Sequence, residues 1–224
     1  MESFPDRERQ AAAAAAALAE ALTGDGPRSL VVTGGTSPGL VYDRLSRLDL
    51  AWDKVTVTLS DDRWVAPDSP DSNARLVRQR LLTGRAAGAG FLPLKDAGTT
   101  PEADARAAEP ALRALMPWSA VLLGMGEDGH IASLFPGDPD LAGRLDPEGE
   151  RLCVGVAMSG LAPFVPRITL TVAALLRSKV IVLLITGEAK RAVVERVGAE
   201  PRYDPPVAAI LRQTRAPVRV LWAP

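Results

Sequence analysis

The only histidine of the chain, His130, closes the stretch Gly124-Met125-Gly126-Glu127-Asp128-Gly129-His130, two residues after a carboxylate. Imidazole titrates near neutrality, so this side chain can take a proton from water at cellular pH. A carboxylate beside it can fix its tautomer and raise its basicity. Asp128 and His130 therefore read as a candidate base with its orienting partner, and equally as a structural histidine. Gly124, Gly126 and Gly129 also match the G-x-G-x-x-G spacing of a dinucleotide loop, which wants a long helix after the third glycine and an acid about 20 residues on. Pro136 breaks the segment within a few residues, and the acids near that distance, Asp146 and Glu148, lie in a Pro/Gly-rich stretch. The dinucleotide reading is set aside.

A base needs something to hold its substrate, and three further stretches offer groups for an anion. Val31 to Gly39 leaves an apolar run through Gly34-Gly35 and presents the hydroxyls of Thr36 and Ser37. Its backbone amides suit a phosphate cradle and equally an ordinary βα turn, and it lacks the lysine of a P-loop. Ser60-Asp61-Asp62-Arg63 ends a second apolar run, where Arg63 suits either a phosphate or a developing oxyanion, or else forms a surface ion pair. Arg167 precedes an apolar run and Lys190 opens the helix after the strand ending at Thr186-Gly187; both are candidate second cations or solvated charges.

Such groups meet only on a scaffold that gathers strand ends. Apolar runs recur at 29–34, 54–60, 120–126, 151–158, 179–186 and 218–223, several of them apolar at consecutive positions, as in strands buried on both faces. Helical patterns cover 8–22, 39–48, 72–82, 101–115, 188–197 and 205–213. The alternation predicts an α/β fold with a mostly parallel central sheet and helices on both faces, in which ligands sit beyond the carboxyl ends of the strands. Thr100-Pro101 and Asp204-Pro205 read as helix caps followed by a proline in the first turn. The stretches 60–73 and 136–150 read as long loops.

With 224 residues, 47% hydrophobic and 24% charged, the chain has apolar material for one large core, so residues 1–224 are expected to form a single domain. The 26 Lys and Arg against 27 Asp and Glu leave a net charge of −1. That balance gives no broad basic field for nucleic acid or an anionic membrane, and any anion must be met locally. The N-terminus carries mixed charges ahead of its alanines, unlike a signal peptide, and no run approaches the roughly 18 apolar residues of a membrane span. A cytoplasmic location is expected. The single cysteine, Cys153, excludes an intramolecular disulfide, and its apolar neighbours predict a buried strand position. One histidine with scattered acids makes no convincing ligand set, so no metal or other cofactor is expected.

Taken in order, TGGTSPG, SDDRWV with DSNARLV, GMGEDGHIASLFPG, PRITLT and LLITGEAKRAVV resemble the 6-phosphogluconolactonase family. It lies within the glucosamine-6-phosphate isomerase/6-phosphogluconolactonase superfamily, which also contains glucosamine-6-phosphate deaminases. The resemblance spans residues 31 to about 197. Ala132-Ser133-Leu134-Phe135-Pro136 stands where deaminases read A-F-N-E-P, and Asp61-Asp62-Arg63 is closer to the lactonases' D-E-R than to D-E-Y. The resemblance implies a Rossmann-like fold of the sugar-phosphate isomerase type. It also implies metal-independent hydrolysis of a phosphorylated sugar lactone, 6-phospho-D-glucono-1,5-lactone, to 6-phospho-D-gluconate in the pentose phosphate pathway.

Within that family pattern His130 is the general base, Asp61 and Asp128 shape its surroundings, and Gly34, Gly35, Thr36 and Arg63 hold the substrate, chiefly its phosphate. The tetrahedral oxyanion would be met by amides of the glycine loop or by Arg63. One departure stands out: Ala162 occupies the position of a family lysine that grips the phosphate. Arg167 or Lys190 is expected to take its place. The rival readings are an amino-sugar phosphate deaminase and a non-catalytic sugar-phosphate-binding protein.

Overall fold

Strands with no solvent face form where apolar residues follow one another. Leu30, Val31 and Val32, then Leu122 and Leu123, then Leu183, Leu184 and Ile185 are all buried; each such side chain contributes roughly 1.5–3 kcal/mol on leaving water. The computed structural model describes residues 1–157 and 165–224. Its elements run β1 (Glu2–Ser3), α1 (Arg7–Ala21), β2 (Arg28–Val32), α2 (Gly39–Leu45), β3 (Val55–Leu59), β4 (Asp61–Arg63), α3 (Asn73–Arg80), β5 (Gly90–Leu92) and α4 (Pro101–Leu115). There follow β6 (Ala120–Leu123), α5 (Leu141–Leu145), β7 (Cys153–Val156), β8 (Arg167–Leu170), α6 (Val172–Leu175), β9 (Ile181–Thr186), α7 (Glu188–Ala199), α8 (Ala208–Leu211) and β10 (Val218–Ala223).

Seven strands make one sheet in the order β1-β10-β9-β6-β2-β3-β5, and every neighbouring pair is parallel. From β1 to β2, β3 and β5 the chain moves toward one edge; from β5 to β6, β9 and β10 it moves toward the other. Because such crossovers are right-handed, α1, α2 and α3 lie on one face and α4 and α7 on the opposite one. In keeping with this, α1 packs on α2 and α2 on α3. The reversal falls between the neighbours β2 and β6, the switch point where an open α/β sheet leaves a crevice for ligands. From α1, the buried Gln10 ties β9 to β10, its Nε2 donating to the carbonyls of Ile185 (2.7 Å) and Leu221 (2.8 Å).

A second sheet of three antiparallel strands, β4-β8-β7, stands apart from the first. It corrects part of the sequence reading. Cys153 is indeed buried in a strand, and burial pushes its thiol pKa up, but that strand belongs to the small sheet and not to the parallel one. The stretch 60–73 contains β4, and 136–150 contains α5. Thr100 caps α4 as expected, its side chain accepting from the amide of Ala103. Asp204 caps nothing: α8 starts only at Ala208, and the Asp204 carboxylate accepts from Arg212 at 3.0 Å. The reason is Pro206, which disfavours helical geometry at Pro205 before it. Among the described residues no helix is long and apolar enough to cross a membrane.

Candidate active site

The carboxyl ends of β2, β3, β6 and β9 open onto one cleft of about 270 Å³. Eight of the nine singled-out residues line it: Gly34, Gly35, Thr36, Asp61, Arg63, His130, Arg167 and Lys190. The ninth, Asp128, stands behind the imidazole. Its Oδ1 accepts from the Nδ1 of His130 at 2.6 Å and from the His130 backbone N–H at 3.1 Å. A carboxylate only accepts, so Nδ1 carries the proton and Nε2 is left as an acceptor. The His130 side chain is 32% exposed, reachable by solvent yet held.

The backbone around this pair is closed on itself. The amides of Gly126 and Gly129 donate to the carbonyls of His130 and Gly126, and Met125, Ile131 and Leu134 form successive antiparallel bridges. No helix follows the loop until α5 at Leu141, so the glycines serve this tight loop and not a dinucleotide. The amides of Gly126, Gly129 and His130 are committed within the loop and cannot also meet an oxyanion. Gly126 is required by proximity, since a Cβ there would sit 2.2 Å from Nδ1 of His130.

Asp61 and Arg63 share the short strand β4 yet face different partners. Asp61 is buried, its Oδ1 accepting from Ser60 Oγ (2.9 Å) and its Oδ2 from Ser133 Oγ (2.6 Å). Ser133 follows Ala132, which has a positive φ of 48° and itself lines the cleft. Arg63 lies directly opposite Arg167 in the β4–β8 register. Like charges facing each other across a ladder repel, so this pair is stable only where anions offset it. Nη1 of Arg63 donates to Asn73 Oδ1 (2.9 Å) and to the Asp71 carbonyl (3.2 Å). Arg167 is half-buried, and its Nε has no hydrogen-bond partner among the described residues. Burial, followed by the charge of Arg63, lowers its proton affinity, against the attraction of Asp61, Asp62 and Asp71.

Asn73 and Asp62 fix this corner. Asp62 accepts from the amides of Arg63 (2.8 Å), Asn73 (2.6 Å) and Ala74 (3.0 Å), capping α3 against β4. Burial outweighs these bonds and raises its carboxyl pKa. Gly34 leaves room for Asn73, because a Cβ at Gly34 would fall 1.9 Å from Asn73 Oδ1. Behind the loop, the buried Tyr42 hydroxyl donates to the carbonyl of Thr33, and burial pushes its pKa up, so it stays a neutral donor. Lys190 sits in the first turn of α7. Among the described residues, no cluster of three His, Cys, Asp or Glu suits a metal ion. Ala162 lies outside the described residues.

Residues 6–222 match the family model of glucosamine-6-phosphate isomerases and 6-phosphogluconolactonase. The chain belongs to this family. A 6-phosphogluconolactonase of Caulobacter vibrioides is 48% identical over all of this chain and 97% of its own length. The crystal structure of a 6-phosphogluconolactonase from Shewanella baltica superposes with a TM-score of 0.93 at 36% identity, covering 100% of this chain and 97% of the other. A monomeric glucosamine-6-phosphate deaminase shares the fold, with a TM-score of 0.82 at 21% identity over 100% and 97% of the two chains.

The family motifs brought eight residues to the cleft, but sequence reading passed over Ser60, Asn73, Ser133 and Phe135. Ser72 and Asn73 open the helical pattern 72–82, and Ser72 caps α3 by accepting from the amide of Arg75. That Asn73 also reaches Arg63 and the Asp61 carbonyl (2.9 Å) has no signature in spacing, since both contacts cross from helix to strand. Ser133 was visible inside the family block ASLFP, the one signal that pointed to it.

Proposed function

We propose that the chain hydrolyses 6-phospho-D-glucono-1,5-lactone to 6-phospho-D-gluconate, with His130 as general base. The observation that carries this reading is the His130–Asp128 pair, with Nε2 free to accept, set on the same cleft as the facing arginines Arg63 and Arg167. The family membership and the 6-phosphogluconolactonase relatives support it.

The dianionic phosphate bridges Arg63 and Arg167, whose mutual repulsion it relieves, and Lys190 with the Gly34-Gly35-Thr36 backbone completes its setting. Anchored there, the lactone holds C1 against the base. Nε2 of His130 accepts a proton from water as the oxygen bonds to C1, giving a tetrahedral oxyanion and an imidazolium stabilised by Asp128. The oxyanion re-forms the carbonyl, the C1–O bond of the ring breaks, and the imidazolium gives its proton to the departing ring oxygen. Asp61, held by the buried hydroxyls of Ser60 and Ser133, lines the same cleft. The near balance of charge on the chain supports a small anionic substrate over nucleic acid, and we take the working compartment to be the cytoplasm.

The test is a coupled assay in which the lactone is generated in situ and 6-phosphogluconate is followed. The native chain hydrolyses it well above the spontaneous rate, and His130→Ala loses at least about a hundredfold in kcat. Arg63→Ala mainly raises KM if Arg63 binds the phosphate; a fall in kcat reassigns it to the oxyanion. No hydrolysis above background, or ammonia release from glucosamine 6-phosphate instead, removes the proposal.

A further inference from the structure

Phe4 and Phe91 pack against the hydrophobic core. The half-buried ring of Phe135 meets two groups of the cleft. Its centroid lies 4.7 Å from that of the His130 imidazole, the rings tilted by 47°, and the guanidinium carbon of Arg167 lies 5.4 Å from the same centroid. These two groups sit on loops and strands far apart in the chain, one after β6 and one on β8.

Each needs a second restraint. The hydrogen bond from Nδ1 to Asp128 fixes one point of the imidazole but leaves the ring able to tilt about that contact, and tilting swings Nε2 away from a bound carbonyl carbon. Arg167 enters the cleft with its Nε unpartnered among the described residues, so that nitrogen anchors it to nothing there. An aromatic ring within about 6 Å attracts a guanidinium through its quadrupole, and a tilted ring contact of this kind is favourable for the imidazole.

We infer that Phe135 is a positioning residue: one ring braces both His130 and Arg167, and so sets the spacing between the water-activating nitrogen and the phosphate-binding cation. The inference rests on the lactonase reading above. It explains why an aromatic side chain lies between groups whose mutual distance decides whether a tethered C1 meets the base. A misplacement of about 1 Å at such a distance costs on the order of a hundredfold in rate.

The test compares the native chain with Phe135→Leu, which keeps apolar bulk, and Phe135→Tyr, which keeps the ring. Phe135→Leu is expected to lower kcat by at least about tenfold and to raise KM severalfold, while Phe135→Tyr stays within about threefold of native in both. A second readout needs no substrate. His130 is the only histidine, so its ring-proton NMR signals are unambiguous, and they carry a ring-current displacement that Tyr preserves and Leu abolishes. Native kcat and KM in Phe135→Leu, or ring signals of His130 unmoved in it, overturn the inference while leaving the lactonase reading intact. A native chain without lactone hydrolysis overturns both.

Discussion

One oxygen of Asp128 receives two hydrogen bonds from His130, one from the backbone and one from the ring. That double contact makes the carboxylate an orienting group for Nε2, although its own side chain is 52% exposed and does not line the cleft. Replacing it with the isosteric amide lets the side chain present an N–H to Nδ1 and favour the other tautomer, which puts the proton on the nitrogen that should accept one. Asp128→Asn is therefore expected to lower kcat by at least about tenfold with KM nearly unchanged. Steady-state kinetics on the in-situ lactone read both parameters, and native turnover in this variant would detach Asp128 from the base. The pair was legible in the sequence because a single residue, Gly129, separates a carboxylate from the only imidazole within a glycine loop. The environment of Asp61 was not: Ser133 is 72 residues away, and local spacing carries no record of it.

Short elements hold the arginines in place, and they depend on charge clusters more than on propensity. β8, which carries Arg167, is paired on one side with β4 and on the other with β7. β7 is clamped to α4 by Arg151, whose Nε and Nη1 donate to Glu109 and Glu102, both at 2.8 Å. Glu109 also accepts from the amides of Leu152 and Cys153, and Glu102 from that of Gly155. Burial works against these carboxylates, but the bonds from Arg151 and the backbone amides outweigh it, and both pKa values lie below the ordinary 4.5. A carboxyl lowered in the folded state adds stability that is present above its unfolded pKa and disappears as pH falls through the folded one. Glu109→Gln should thus cost about 1–2 kcal/mol at pH 7. The difference from native should narrow as pH falls below the ordinary carboxyl value of 4.5 and through the lowered folded one. Urea unfolding at several pH values measures it, and a gap that does not depend on pH would assign the loss to packing. Neither β4 nor β8 was foreseen, since three- and four-residue strands take their stability from cross-strand partners that a local pattern does not contain.

At the scale of the molecule, strand order decides where everything meets. We propose that residues 1–224 unfold as one domain around the central sheet, and that the cleft reports on that unfolding. A ligand bound only by the native state adds about 2.7 kcal/mol at a hundred times its Kd. For a chain of this length that corresponds to a rise of roughly 5–10 °C in Tm. 6-Phosphogluconate should produce such a shift, and a chain carrying Arg63→Ala with Arg167→Ala should lose most of it; thermal scans at fixed pH read both, and an unchanged shift in the double variant would move the phosphate elsewhere. The sequence by itself determined the α/β class and the glycine-bearing strand ends, and singled out His130 as the candidate base, because hydrophobic periodicity and strand-to-loop transitions act over a few residues. Only the tertiary structure decided that Arg63 faces Arg167, that Ser133 reaches Asp61 and that Phe135 touches both His130 and Arg167. Those contacts join positions far apart in the chain, and their geometry follows from sheet register and crossover direction, which emerge only when the strands have packed.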